Sequence, residues 1–390
     1  MTFHAPADLL RASFRASPYY RIVPFEQLTA RQQQLLDTLR RHPGASAMLL
    51  PAPGSGRTVR SVSRETADLL RGYANAAPLP DGVTAALGES AERAILRLVL
   101  DDVLEIEDGG CFLSGVAAAQ LLLGATPAPL PAGHIGALSL EALRHAAALD
   151  DDDSRSLAAR LYRFNTRPLS PRWLARLPTT QAIGDFLGLD GAGGHRTATA
   201  PGIEPFTNEG WLIWAAPGAA PNAGATTFKL YVSPPAELLR DALPAVLALL
   251  GSDGRAIAVK VGAELAGLLR PDKLVAYFDT EADLHRAAEL VQRRLGGMPA
   301  HGVPFTAELA GNGLLSWGVD PPGEHALLAW QGSSSWRTWL ANRLAASLVA
   351  ARTATESMPS WRFALERLRL DGVDTATFAP QGGAWPGGES

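Results

Sequence analysis

A chain of 390 residues with 47% hydrophobic and 19% charged residues has ample material for a core, as one large domain or two ordinary ones. Its formal net charge of -4 argues against a general nucleic-acid or membrane-surface binder. The single cysteine, Cys111, excludes an intramolecular disulfide framework and a Cys-based zinc site. No stretch approaches the roughly 18 apolar residues of a membrane helix, and the N-terminus lacks a basic region followed by an apolar run, so cytoplasmic residence is expected.

Residues 1–150 read as a mainly helical region. A polar, Gln-rich helix is expected from Glu26 to Arg41 and an apolar-periodic one from Ala91 to Leu104, with loops at Asp81-Gly82 and from Gly124 to Gly136. The acidic run Asp150 to Asp153 marks a solvated boundary able to cap the next helix. Leu161 to Pro168 is an aromatic and basic segment stopped by proline. Residues 187–225 predict loops around a short apolar strand, Trp211 to Ala215.

From Thr226 the pattern sharpens. Thr226 to Ser233 alternates, with Phe228, Leu230 and Val232 on one face and Lys229 and Tyr231 on the other. Pro234 and Pro235 open a helix to about Leu250. Ala256 to Gly262 alternates again, with Lys260 opposite the core face between the small residues Ala258 and Gly262. Arg270-Pro-Asp-Lys273 leads into a third strand, where Lys273, Val275 and Tyr277 oppose Leu274, Ala276 and Phe278; a helix over Glu281 to Leu295 follows. His301 to Pro322 reads as a Gly/Pro-punctuated loop. Ser333-Ser-Ser-Trp-Arg337 opens a helix to about Arg352 with a Trp336, Leu340, Leu344, Leu348 stripe and serine N-caps. The tail reads as flexible from about Asp371. The C-terminal half is thus expected to be an α+β domain over 154–355, a mixed or antiparallel sheet with helices on one face, followed by an extension over 356–390. The other face would gather Lys229, Tyr231, Lys260, Lys273 and Tyr277.

Only three of the 35 basic residues are lysines, and all three lie within 45 residues. In an Arg-rich chain the remaining lysines are candidates for work that needs an amine able to lose its proton. Pro53 to Thr58 lacks the lysine and first glycine of a phosphate loop and reads as a surface turn. There is no Gly-x-Ser-x-Gly elbow, no His-Glu-x-x-His motif and no clustering of the eight histidines.

Phe228-Lys-Leu-Tyr231, Val259-Lys-Val261, Arg270-Pro-Asp-Lys273, Val275-Ala-Tyr-Phe278, Val303-Pro-Phe-Thr306 and Ser333 to Arg337 follow one another in the order found in a known family. With Leu161-Tyr-Arg-Phe164 upstream, this stretch resembles the HopA family of bacterial type III effectors and its relatives in peptide natural-product clusters. Trp336 stands where some relatives carry a histidine, and residues 1–150 resemble no named family. The resemblance implies a cytoplasmic lyase of a class V lanthipeptide or thioamitide type of pathway. Such a lyase acts after a separate aminoglycoside-phosphotransferase-like kinase, alongside a cyclase. It eliminates phosphate from phosphoserine or phosphothreonine of a ribosomal precursor peptide, leaving dehydroalanine or dehydrobutyrine. It implies neither nucleic-acid nor membrane partners, and residues 1–150 would dock the leader or a partner.

β-Elimination needs a base for the Cα proton, charge stabilisation on the leaving phosphate and room for the forming enolate, with no cofactor or metal required. On this reading Lys260 is the base, its free form favoured by like charge from Lys229, Lys273 and Arg270. Arg270, Lys273 and Arg337 clamp the phosphate, the last with a helix N-terminus. Lys229 or Tyr231 serves the leaving oxygen, Tyr277 orients the base, and His301, Thr306 and Ser335 contact substrate. The alternative is a non-catalytic phosphopeptide- or partner-binding protein using the same basic face.

Overall fold

The computed structural model describes residues 9–37, 44–53, 55, 57, 59–80, 82, 91–123, 128–189, 203, 205–216, 227–251, 255–321, 335–353 and 358–381. Over these residues the chain is an α+β protein built on antiparallel sheets. Its N-terminal part runs β1 (Ser13–Ala16), β2 (Tyr20–Pro24), α1 (Ala30–Leu35), β3 (Ala45–Pro51), β4 (Arg60–Ser63), α2 (Arg64–Gly72), β5 (Ala77–Pro78), α3 (Ala91–Leu100), β6 (Leu104–Asp108), β7 (Cys111–Leu113) and α4 (Gly115–Leu123). The expected mainly helical region therefore also holds two sheets, ordered β5-β1-β6-β7 and β2-β3-β4. The strands escape a period-two search because they are short or buried on both faces: Ala47, Met48 and Leu49 are successive buried residues of the central strand β3. The Gln-rich helix is confined to α1, opened by a capping box between Thr29 and Gln32; residues 38–43 lie outside the described ones. Helix α3 ends at Leu100, four residues short of expectation, because Asp102 takes a left-handed φ of 60° and turns the chain into β6.

Next come α5 (Gly133–Ala148), α6 (Ser154–Arg163), α7 (Pro171–Arg176) and α8 (Thr180–Leu187). Then follow β8 (Phe206–Asn208), β9 (Trp211–Ala215), β10 (Phe228–Val232), α9 (Leu239–Leu247), β11 (Ala258–Gly262), α10 (Leu265–Leu268), β12 (Leu274–Phe278), α11 (Glu281–Leu295), β13 (Ala307–Leu309) and β14 (Leu315–Val319). The strands form one seven-stranded antiparallel sheet, ordered β13-β14-β10-β12-β11-β9-β8. Phe228, Leu230 and Val232 face α9 and α11, whose Leu243, Val246, Leu284 and Val291 complete the main core. The segment expected as loop between His301 and Pro322 thus supplies two strands; in β14 Leu315, Trp317 and Val319 alternate with Ser316 and Gly318, a short pattern set among glycines and prolines.

The opposite face carries Lys229, Tyr231, Lys260, Val275 and Tyr277, as the alternation predicts. It is not left open. α6 and α12 (Trp336–Ala350) roof one end of it, with Trp336 packed so close to Gly318 of β14 that an added Cβ would clash with the indole. Helix α12 begins at Ser335, its N-cap; Ser333 and Ser334 lie outside the described residues. α13 (Ser360–Leu370) and the hairpin of β15 (Val373–Asp374) and β16 (Ala379–Pro380) finish the described chain.

Helices on either side of residue 150 share one core. Ala142, Leu143 and Ala146 of α5 pack with Leu157 and Leu161 of α6, Leu340 and Leu344 of α12 and Leu365 of α13. Phe363 and Leu370 of α13 also enter the N-terminal core beside Ile95 and Val99. The tail is structured through Gln381: Asp371 pairs with Arg97 and Arg343, and residues from 382 lie outside the described ones.

Candidate active site

Antiparallel register sets out the functional face in rows, since directly paired residues share a face. Gly318, Lys229, Tyr277 and Ala258 form one row, and Ser316, Tyr231, Val275, Lys260 and Ile213 the next. Tyr277 therefore lies between two lysines: its ring centroid is 5.5 Å from Lys229 Nζ and 5.2 Å from Lys260 Nζ. Trp211, at the start of β9, covers Lys260 from the other side at 4.2 Å. The amine of Lys260 is thus held between two aromatic rings. Lys229 Nζ instead donates to Asp320, 2.7 Å from Oδ1, and the same oxygen accepts from the backbone N–H of Trp336 at 2.9 Å. Asp320 so ties the sheet to the first residue of α12.

The loop before β12 supplies a second group. Arg270 makes a bidentate contact to Asp272, Nε to Oδ1 at 2.8 Å and Nη2 to Oδ2 at 2.7 Å, and Nη2 also donates to Tyr162 Oη at 2.7 Å. Arg337 lies behind, its Nη1 2.8 Å from Asp272 Oδ2, donating to the carbonyls of Pro304 and Tyr162. Among the described residues the Nη1 edge of Arg270 has no protein acceptor. Arg270, Tyr162 and Trp211 border a cleft of about 780 Å³ between α6, the β8–β9 turn, α10 and α12.

Charge in this site follows burial and pairing. Burial, then the charge of Lys229, pulls the Lys260 amine down from 10.5 to about 8; Arg270 adds to this, while Asp272 and Asp320 oppose it. For Asp272, burial pushes upward, but Arg337 and the Arg270 hydrogen bonds prevail and hold the carboxyl well below the usual carboxylate range. Burial, reinforced by Asp320, raises both Tyr231 and Tyr277, so each stays a neutral phenol.

Several expected site residues have other occupations. Lys273 is fully buried, and its Nζ lies 2.9 Å from the Pro234 carbonyl, 3.5 Å from Ser233 Oγ and 2.9 Å from His301 Nδ1, which uses all three donors. Like Lys229 and Lys260, it does not itself line the cleft, which Trp211 and Arg270 border. Burial lowers it to about 7. His301 contacts the Asn165 carbonyl through Nε2 at 2.7 Å, and burial, with Lys273 beside it, lowers it to about 3. Arg337 is 1% exposed and serves Asp272 instead of facing the cleft. Thr306 is buried with its hydroxyl on the Val303 carbonyl and Ser316, and Ser335 caps α12. Lys260, Lys229, Tyr277 and Arg270 do come together, with Tyr231 buried beneath the roof against Val275 and Val303.

Four residues of this arrangement are absent from the sequence expectation: Tyr162, Trp211, Asp272 and Asp320. Two left a signal. Tyr162 and Asp272 lie inside the segments Leu161-Tyr-Arg-Phe164 and Arg270-Pro-Asp-Lys273, where attention to cations passed over the acid and phenol that hold them. Asp320 and Trp211 read as a turn residue and a strand start.

No family model and no curated protein matches the chain. Among solved structures it is similar to the effector protein from Pseudomonas syringae pv. tomato strain DC3000, at 14% identity over 62% of this chain and 97% of that one, with a TM-score of 0.37. The effector protein from Pseudomonas syringae pv. syringae strain 61 gives 16% identity, 65% and 99% coverage, and a TM-score of 0.36. The phosphothreonine lyase SpvC, the effector protein from Salmonella, gives 13% identity, 52% and 98% coverage, and a TM-score of 0.27. At these scores the likeness is loose, and the residue roles below rest on this chain's own geometry.

Proposed function

We propose that the chain is a phosphoserine/phosphothreonine lyase acting on a phosphorylated peptide by β-elimination. One observation carries the reading: the Trp211 ring at the edge of the cleft lies 4.2 Å from an amine brought down to about 8 by burial and 5.2 Å from Arg270, whose Nη1 edge has no protein acceptor among the described residues. An amine of that pKa is roughly one-tenth free base at pH 7, a usable population for proton abstraction. Lys260 takes the Cα proton, the electron pair forms the Cα–Cβ double bond, and the Cβ–O bond breaks. Arg270 holds the phosphate through its Nη1 edge, its other edge locked by Asp272 and Tyr162, a pre-organised and charge-assisted contact. The departing oxygen takes a proton from Lys229 or Tyr231, and Tyr277 lies against both lysines to fix the base. Arg337 and Lys273 act as positioning residues: the first holds Asp272, the second the loop around His301.

Within this reading the substrate is a ribosomal precursor peptide, phosphorylated by a separate aminoglycoside-phosphotransferase-like kinase and then passed to a cyclase; the ordered sequence motifs support that setting. The test is mass spectrometry of a phosphoserine peptide incubated with the protein, beside a Lys260→Ala control. Loss of phosphoric acid with the wild type alone is the expected result. A peptide that binds and stays phosphorylated would replace the lyase by the phosphopeptide-binding alternative.

A further inference from the structure

The cleft beside Arg270 is larger than a phosphoresidue needs, and its charged residues are sorted by side. Arg155 and Arg163 stand on the α6 side, both exposed. Glu209 of the β8–β9 turn and Glu264 at the start of α10 stand on the other side, also exposed. Between them the lining is small: Ala158, Ala159, Ala266, Gly267 and Ala341. Residues without bulk let a peptide main chain approach closely, and Thr338 and Asn342 of α12 offer it hydrogen-bond partners. In an extended segment successive side chains point to opposite sides, so neighbouring residues of such a peptide would meet walls of opposite charge.

Resting on the lyase reading for the position of the phosphoresidue, we infer that this cleft selects a peptide segment of mixed charge. An acidic residue near the phosphorylated Ser or Thr faces Arg155 and Arg163, and a basic residue next to it faces Glu209 and Glu264. The substrate class is therefore a phosphopeptide flanked by a carboxylate–cation pair, neither uniformly acidic nor neutral. Complementary charge of this kind orients the chain and excludes the inverted arrangement, where like charges would oppose one another.

The experiment uses four fluorescent phosphoserine peptides: neutral flanks, one glutamate, one arginine, or both at adjacent positions. Affinities are measured by anisotropy on the full chain carrying Lys260→Ala, and elimination by mass spectrometry on the wild type. Each flanking charge should tighten binding roughly two- to fivefold at low salt, the scale of an exposed ion pair, and the gain should shrink as salt rises. Arg163→Glu should erase the advantage of the glutamate peptide, and Glu264→Lys that of the arginine peptide. Equal affinities for all four peptides, or variants that leave the ranking untouched, would overturn the inference. If the ranking appears but no peptide loses phosphate, the cleft inference stands and the lyase reading falls. If every peptide is processed and bound alike, the reverse holds.

Discussion

Trp211→Ala tests the central claim, that enclosure makes Lys260 a base. The fall from 10.5 to about 8 corresponds to roughly 3.4 kcal/mol of discrimination against the ammonium form. The indole acts in two opposing ways. It displaces water, which disfavours the cation, and it presents a π face at 4.2 Å, which favours it by about 2 kcal/mol. Because the net effect is a lowered amine, burial prevails, and removal of the ring should return part of it. With Tyr277 still covering the other side, Trp211→Ala should raise Lys260 to about 9, a change of roughly 1.4 kcal/mol. The free-amine fraction at pH 7 would then drop from about one-tenth to about one-hundredth, and kcat/KM with it, with recovery above pH 9. Three lysines in the whole chain make the assay direct: lysine-labelled protein gives three ε-carbon resonances to follow against pH by NMR. A wild-type Lys260 titrating at its ordinary 10.5, or a variant in which it titrates lower, would refute the reasoning.

Four further outcomes follow from the same geometry. Lys260→Arg should be as inactive in elimination as Lys260→Ala while binding phosphopeptide within a few-fold of wild type, because arginine does not deprotonate near neutrality; an active Lys260→Arg would move the base elsewhere. Arg270→Ala should weaken phosphopeptide binding by roughly 1.5–3 kcal/mol without a matching loss for the unphosphorylated peptide. Arg337→Ala should instead lower unfolding stability by roughly 1.5–3 kcal/mol, since Asp272 loses one charged partner while keeping Arg270, and the carbonyls of Pro304 and Tyr162 lose their donor; denaturant titration and anisotropy together separate the two. His301, held near 3 when folded, gains its proton in the unfolded chain near 6.5, so its contribution to stability is present above about pH 6.5 and is lost on acidification toward 3. His301→Gln should flatten the fall of the melting temperature between pH 7 and 4, and an unchanged slope would count against the burial of that ring.

The strands that carry the site were legible because each exposes one face to a core and the other to polar neighbours. Phe228–Val232, Ala258–Gly262 and Leu274–Phe278 stand as the alternation implies, and Glu281–Leu295 matches its expected helix at both ends. Where successive residues are all apolar that signal vanishes, as around Met48, and in Leu315–Val319 the alternation is short and set among glycines and prolines, so these segments read as helix or loop. The sheet face was also expected to stand open, because nothing in strand periodicity reports that a distant helix will cover it. Tyr162 and Arg337 reach the site from α6 and α12, so the roof is a product of helix packing and not of local pattern.

That roof decides which lysine can act. Scarcity of lysine in an Arg-rich chain singles out three residues, and strand alternation gives all three similar claims to one sheet face. Lys229 is ion-paired with Asp320, and Lys273 is enclosed by carbonyl, hydroxyl and imidazole acceptors. Lys260 differs in having rings where the others have acceptors. Burial lowers Lys273 further, to about 7, but acceptors enclose its nitrogen, whereas a ring face excludes water without offering a lone pair and leaves the Lys260 nitrogen able to accept. The distinction between a structural lysine and a base therefore lies in Trp211 and Tyr277. Tyr277 is placed by β12 and Trp211 by an edge strand that the sequence marks only as short and apolar.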